Sequence, residues 1–126
     1  MSGYSLDANI LIDSLLEHDP ARREITRIAE SGARMWISRM AWIEVLSKGN
    51  DAVVRDAVLF LSRFGLDEID DEISKRAAAL RRERPRLKSP DAIILATAQI
   101  RGRVLITRNT KDFPAEMPGI RVPYTL

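Results

Sequence analysis

Short strand-like runs alternate with helix-like segments along the whole chain, and this alternation constrains the fold more than any other feature. The runs are GYSL (Gly3 to Leu6), RMWIS (Arg34 to Ser38), LDEI (Leu66 to Ile69) and RVLIT (Arg103 to Thr107), and the closing GIRVPYTL holds a last edge run. Pro123 suits an edge because proline cannot donate to a ladder. Between the runs the apolar spacing turns helical. Asn9 to Leu16 reads as a helix that stops near Asp19-Pro20. Ala21 to Ser31 is amphipathic, with Ile25, Ile28 and Ala29 on one face, and Gly32 ends it. Ser38 N-caps Arg39 to Lys48, which ends at Gly49-Asn50. Asp51 to Phe64 follows, with Gly65 as its stop, and then Asp70 to Glu83, closed by Pro85. Ser89 as N-cap and Pro90 as first helical residue open a helix to Arg101, followed by Gly102. Strands separated by helices predict an α/β, three-layer α/β/α fold around a mostly parallel sheet of about four to five strands. In such sheets the functional crevice lies at the carboxyl ends of the strands.

The 126 residues fit a single domain, 1–126. Hydrophobic residues are 45%, enough for one core, and 30% charged residues with that core argue against disorder. The longest apolar runs resemble AIILA (Ala92 to Ala96), too short to cross a bilayer. MSGYSLDAN lacks the charged-then-apolar layout of a signal peptide, so the chain reads as cytoplasmic. With no cysteine and one histidine, His18, thiolate chemistry is excluded and a Ser-His-Asp triad would rest on that one residue. An enzyme built from this chain works mainly with carboxylates, hydroxyls, amides, Lys and Arg. Basic residues cluster at Arg81 to Lys88 and again at Arg101, Arg103, Arg108 and Lys111, and the sequence pI is about 9.3. Such clusters suit a polyanion such as nucleic acid, or equally a solvated helix end that complements the macrodipole.

The acids fall where the crevice should be. Asp7 follows the first strand, and Asn109 and Asp112 follow RVLIT. Asp91 opens the helix before that strand, and Glu44 sits inside the helix after RMWIS. Each has an ordinary role open to it. Asp7 can N-cap the Ala8–Leu16 helix, and Asp91 suits the first-turn dipole. Asn109 and Asp112 can form a variant capping box through Phe113. Glu44 is the only polar residue of MAWIEVL, so it needs a cation such as Arg39, a metal, or a raised pKa. Acids gathered in one pocket repel one another, and a divalent cation resolves this. Mg²⁺ and Mn²⁺ prefer oxygen ligands and activate phosphodiester hydrolysis with no histidine.

At this point the sequence resembles the PIN-domain ribonucleases, specifically the VapC-type toxins of toxin–antitoxin pairs. The resemblance covers nearly the whole chain. SLDANILID, ISRMAWIEVLSK, LKSPDAIILATAQIRG and VLITRNTKDFPAEMPGIRV match the four family segments in order. It implies a PIN-like fold and Mg²⁺-dependent endonucleolytic hydrolysis of RNA, with Mn²⁺ a possible substitute and 5′-phosphate and 3′-hydroxyl ends. It implies Asp7 and Asp91 as the principal metal ligands and Glu44 as completing the acidic cluster. The fourth acidic position falls to Asn109, an amide here, or to Asp112. Thr107, Arg108 and Lys111 would meet RNA. A homodimer and a cognate VapB-type antitoxin, laid over the acidic pocket, are further implications.

Two other phosphoryl-transfer folds fit less well. A haloacid-dehalogenase phosphatase needs Asp-x-Asp, and this chain has Asp7-Ala8-Asn9. A receiver domain needs an acid pair after an early strand, whereas Ile69 to Glu72 opens a helix after a weak one. The rival from another class is a catalytically inactive PIN-fold module that binds RNA or protein. Retention of Asp7, Glu44 and Asp91 argues against it.

Overall fold

The computed structural model describes residues 3–126. Its strands are β1 (Tyr4–Leu6), β2 (Met35–Ser38), β3 (Gly65–Asp67), β4 (Val104–Ile106) and β5 (Ile120–Arg121). Its helices are α1 (Ala8–Leu15), α2 (Asp19–Glu30), α3 (Arg39–Val45), α4 (Asp51–Leu61), α5 (Asp71–Glu83) and α6 (Ser89–Arg101). The sheet order is β3-β2-β1-β4-β5, and every pair is parallel. The chain steps outward from β1 to β3, then returns through α5 and α6 past β2 and β1 to β4. Right-handed crossovers in opposite directions put the two sets of helices on opposite faces, the three-layer arrangement expected.

The core is aliphatic. Leu6, Ile10, Leu11, Ile37, Leu105 and Ile106 are almost wholly buried. Central strands covered on both faces read as near-continuous apolar runs, which is why RVLIT and MWIS stand out in the sequence. Register places Leu6 opposite Ile106, so the residues that follow them, Asp7 and Thr107, emerge side by side at the carboxyl edge. The Asp7 N–H donates to the Ile106 carbonyl at 2.9 Å, which extends the pairing by one residue.

Four local expectations are corrected. The sixth helix starts one residue early: the Lys88 carbonyl accepts from the Ala92 N–H at 2.9 Å, so Lys88 is the N-cap, and no side chain caps there. The second helix starts at Asp19, not Ala21, because Pro20 is harmless in a first turn whose N–H groups have no helical partner. Gly65 is the first residue of β3 and not a helix stop. It is small because the Trp36 ring lies against it: a Cβ there would fall 2.3 Å from the ring. On α2 the buried face holds Ala21, Glu24 and Ile28, while Ala29 is exposed. An acid in that face is tolerated because Arg27 and Arg121 each hold Glu24 with two hydrogen bonds. Burial opposes its ionisation, but the two guanidiniums outweigh it and pull its pKa down to about 2.

Candidate metal and nuclease site

The site grows from the end of β1. Asp7 has extended backbone and caps α1, its Oδ1 accepting from the Ala8 N–H at 2.7 Å. Its Oδ2 accepts from the Thr107 hydroxyl at 2.7 Å and from the Asn9 amide at 3.2 Å. Asp7 is 4% exposed and Thr107 wholly buried. Burial pushes the Asp7 carboxyl above its usual range, and these hydrogen bonds pull back against it. Asp7 is therefore both a helix cap and a carboxylate held at a sheet edge.

Glu44 and Asp91 reach the same place from different elements. Ser38 caps α3, its Oγ accepting from the Ala41 N–H at 3.0 Å, and so sets the start of the helix that carries Glu44. Glu44 is half-buried. Burial raises its pKa, and the charges of Asp7 and Asp91 raise it further. The cation that might have neutralised it is engaged elsewhere: Arg39 pairs with Glu68 and stacks over Trp42. That leaves Glu44 to the acidic cluster. Asp91, in the first turn of α6, has its pKa pushed up to about 6 by burial, then by Asp7 and Asp112. Asp112 is thus close enough for its charge to act on Asp91. Among the described residues no three carboxylates close into a tight ligand cage. Asp7, Glu44 and Asp91 act on one another through charge.

The loop after β4 supplies the remaining residues. Asn109 Oδ1 accepts from the Asp112 N–H at 3.2 Å, and its amide donates to Asp112 Oδ2 at 3.0 Å. This is the expected capping exchange, and buried Phe113 anchors it. Asp112 thus presents its carboxyl to Asp91 while Asn109 holds Asp112. The Asn109 N–H donates to Thr107 Oγ1 at 3.0 Å. Lys111 is exposed. Arg108 is committed inward, its guanidinium forming two hydrogen bonds to Asp13, which also accepts from the Tyr124 hydroxyl at 2.7 Å.

Two residues gain roles that local patterning did not reveal. Asn9 joins three partners, since its amide reaches Asp7 and Thr107 while its oxygen accepts from the Arg108 N–H at 3.3 Å. Its position two residues after Asp7 was the only signal. Asp13, an acid in the middle of α1, is 6% exposed and ionised against Arg108. Nothing near it in sequence marks this, because Arg108 is 95 positions away.

The raised carboxyls set a pH dependence. Folded Asp91 keeps its proton up to about pH 6, whereas the unfolded chain releases it near the ordinary value of 3.8. Between these values the folded state binds more protons, so stability falls as pH rises through that window. Asp7 and Glu44, also raised, add to the same slope. The metal-free protein should melt at a higher temperature near pH 5 than near pH 7, and Asp91→Asn should flatten that slope. A melting series that stays level or rises over this range in the wild type would contradict the arrangement.

The PIN domain family model matches residues 4–115, from the first strand through the loop that carries Asn109 and Asp112. No curated protein matches the chain in sequence. A toxin–antitoxin complex from Klebsiella pneumoniae contains a chain 39% identical to this one, covering 98% of this chain and 99% of that chain with a TM-score of 0.84. A DNA-bound VapBC from Salmonella typhimurium is 25% identical over 96% of each chain, with a TM-score of 0.76. VapBC2 from Rickettsia felis, bound to a DNA fragment from their promoter, is 22% identical over 94% of this chain and 95% of that chain, with a TM-score of 0.77; this last likeness is one of fold. With that match running from β1 to the turn that closes the acidic edge, the chain belongs to the PIN domain family.

Proposed function

We propose that the protein is a Mg²⁺-dependent endoribonuclease and the toxin of a toxin–antitoxin pair. The observation that carries this reading is the gathering of Asp7, Glu44 and Asp91 at the carboxyl edge of the sheet, close enough that the charge of Asp7 acts on both of the others. Three acids from three elements, each with a raised pKa, form a site whose charge is costly until a cation enters. All its donors are oxygens, the set that Mg²⁺ and Mn²⁺ select.

In this reading Asp7 and Asp91 hold the ion. Glu44 and Asp112 complete the acidic cluster, and Asn109 acts by fixing Asp112. A bound divalent ion polarises a phosphodiester and lowers the pKa of a coordinated water. The chain's own residues do the positioning. Thr107 and Asn9 fix the rotamer of Asp7, and the α1 N-terminus beside it favours negative charge. Lys111 is free at the rim to meet a backbone phosphate. Attack by water and not by the ribose hydroxyl leaves 5′-phosphate and 3′-hydroxyl ends.

A groove of about 810 Å³ offers a seat for an antitoxin segment. Ile12, Leu15, Leu16, Val45 and Val53 line it, and Glu44 lies in its wall, so an occupant reaches the acidic cluster. Leu16 is 75% exposed, a large apolar residue with no cover in the monomer. Val58 and Leu59 form further exposed apolar surface on α4, suited to a homodimer. That a toxin–antitoxin complex contains a 39% identical chain supports the pairing. No helix among the described residues is long and apolar enough to cross a membrane.

The test is cleavage of a structured RNA by the purified chain with Mg²⁺ or Mn²⁺, with and without EDTA. Cutting should require the ion and leave 5′-phosphate ends. Cutting that EDTA does not affect would overturn the metal reading. RNA binding with no cutting under any ion would favour a binding module instead.

A further inference from the structure

A second cleft, of about 480 Å³, opens directly beside the acidic cluster. One wall is the connection from α5 to α6, with Arg84, Pro85, Arg86 and Leu87, and the other is Lys111 and Asp112. Asp112 belongs to both places, because it lines this cleft and its charge acts on Asp91. Whatever lies in the cleft therefore sits next to the proposed reaction centre.

The cleft is built on a rigid base. Leu87 is buried and anchors the connection. Its carbonyl accepts from Arg81 Nε at 3.0 Å, and its N–H donates to the Arg84 carbonyl at 2.9 Å. Arg84 ties the two walls together: its Nη2 donates to the Asp112 carbonyl at 2.6 Å. Its Nη1 is buried and has no hydrogen-bond partner among the described residues. An arginine donor left unsatisfied is costly and calls for an acceptor. Arg86 and Lys111, which line the cleft, are exposed.

Charge decides what that acceptor is. Three of the six lining residues are cations, against one acid. Among the described residues none of Arg84, Arg86, Lys88 and Lys111 forms an ion pair, whereas Arg108 is neutralised by Asp13. Unpaired cations over a fork with a spare donor fit a phosphate. We infer that this cleft seats an RNA backbone phosphate flanking the scissile one, held by Arg84, Arg86 and Lys111, an inference that rests on the nuclease reading for its place in the reaction. Phosphate contacts of this kind position the strand and carry no sequence choice.

The experiment measures binding of a labelled single-stranded RNA oligonucleotide in EDTA, between 50 and 200 mM salt, so that no cleavage occurs. The double variant Arg86→Gln/Lys111→Gln should bind about 10-fold more weakly and lose about 1.4 from the slope of log K against log salt, from roughly 0.7 per contact on a single strand. Arg55→Gln/Arg63→Gln, exposed cations on and after α4, is the control and should bind like wild type. Under cleaving conditions Arg86→Gln, which removes a lining cation and leaves the Arg84–Asp112 tie in place, should raise KM with little change in kcat. A wild-type slope in the cleft variant, or an equal loss in the control, overturns the cleft while leaving a cutting enzyme a nuclease. Loss of affinity in the cleft variant alone, in a protein that cuts nothing, upholds the phosphate seat and removes the nuclease reading.

Discussion

Asp7→Asn should cleave RNA at least ~10³-fold more slowly than wild type, on the scale of losing a principal charge-stabilising group, while the protein folds as well or better. The two halves of this expectation have separate causes. Asparagine caps helices as well as aspartate, so the Ala8 N–H keeps an acceptor. The amide removes a carboxylate whose burial raises its pKa, and so removes a desolvation cost. In the absence of metal its melting temperature should match or exceed that of wild type. Activity, by contrast, needs the negative charge that holds the ion. Initial rates in Mg²⁺ and calorimetry on the same preparations check both halves. Cleavage within tenfold of wild type would remove Asp7 from the metal site, and a large loss of stability would mean that its role is structural.

Asp13→Ala should have the opposite profile, destabilising the fold by roughly 3 kcal/mol, at the lower end for a broken buried ion pair. Among the described residues Asp13 is the sole carboxylate partner of Arg108, and it is the acceptor for Tyr124. Truncation leaves a guanidinium, only 28% exposed at the side chain, without its counter-charge. In a chain of this size that corresponds to a melting temperature about 10 °C lower. Arg108 lies between Thr107 and Asn109, so cleavage should fall as well, through disorder of the loop that orients Asp7 and Asp112. The double variant Asp13→Ala/Arg108→Met should recover part of the stability, because no unpaired charge remains. Urea denaturation of the three proteins measures this. A single variant within about 0.5 kcal/mol of wild type, the range of a neutral surface change, would show that the pair contributes nothing. The pair also predicts acid sensitivity. Burial opposes ionisation of Asp13, but hydrogen bonds from Arg108 and Tyr124 outweigh it and hold its pKa below 3.8. Its contribution is present above that value and lost as pH falls through the folded pKa. Asp91 acts with the reverse sign at higher pH, so the metal-free protein should be most stable on the acid side of neutrality.

The two acids mark the boundary between what local sequence carries and what it does not. Asp7 was legible because three local signals coincide: an apolar strand ends, a helix begins, and a charge sits between them. Glu44 was legible as the only polar residue of MAWIEVL. The alternation of strand and helix carried the parallel sheet, since connections of that length leave few other ways to cover both faces. All of these are statements about neighbours in the chain.

Asp13 and Glu24 look like ordinary helix acids, and their buried state depends on Arg108 and Arg121, 95 and 97 positions away. Arg39 illustrates the same point from the basic side: Glu44 is nearer in sequence, but the β2–β3 register opposes Ser38 to Asp67 and delivers Glu68 to it instead. Nor could sequence place Arg84 against Asp112, which makes a cleft out of a segment that reads equally as a polyanion patch or a solvated helix end. Helix, strand and cap preferences arise from interactions within a few residues, so the sequence by itself determined the elements, their order and the acids at strand ends. Which charge meets which is set by strand order and register, a property of the whole sheet, and only the tertiary structure decided it.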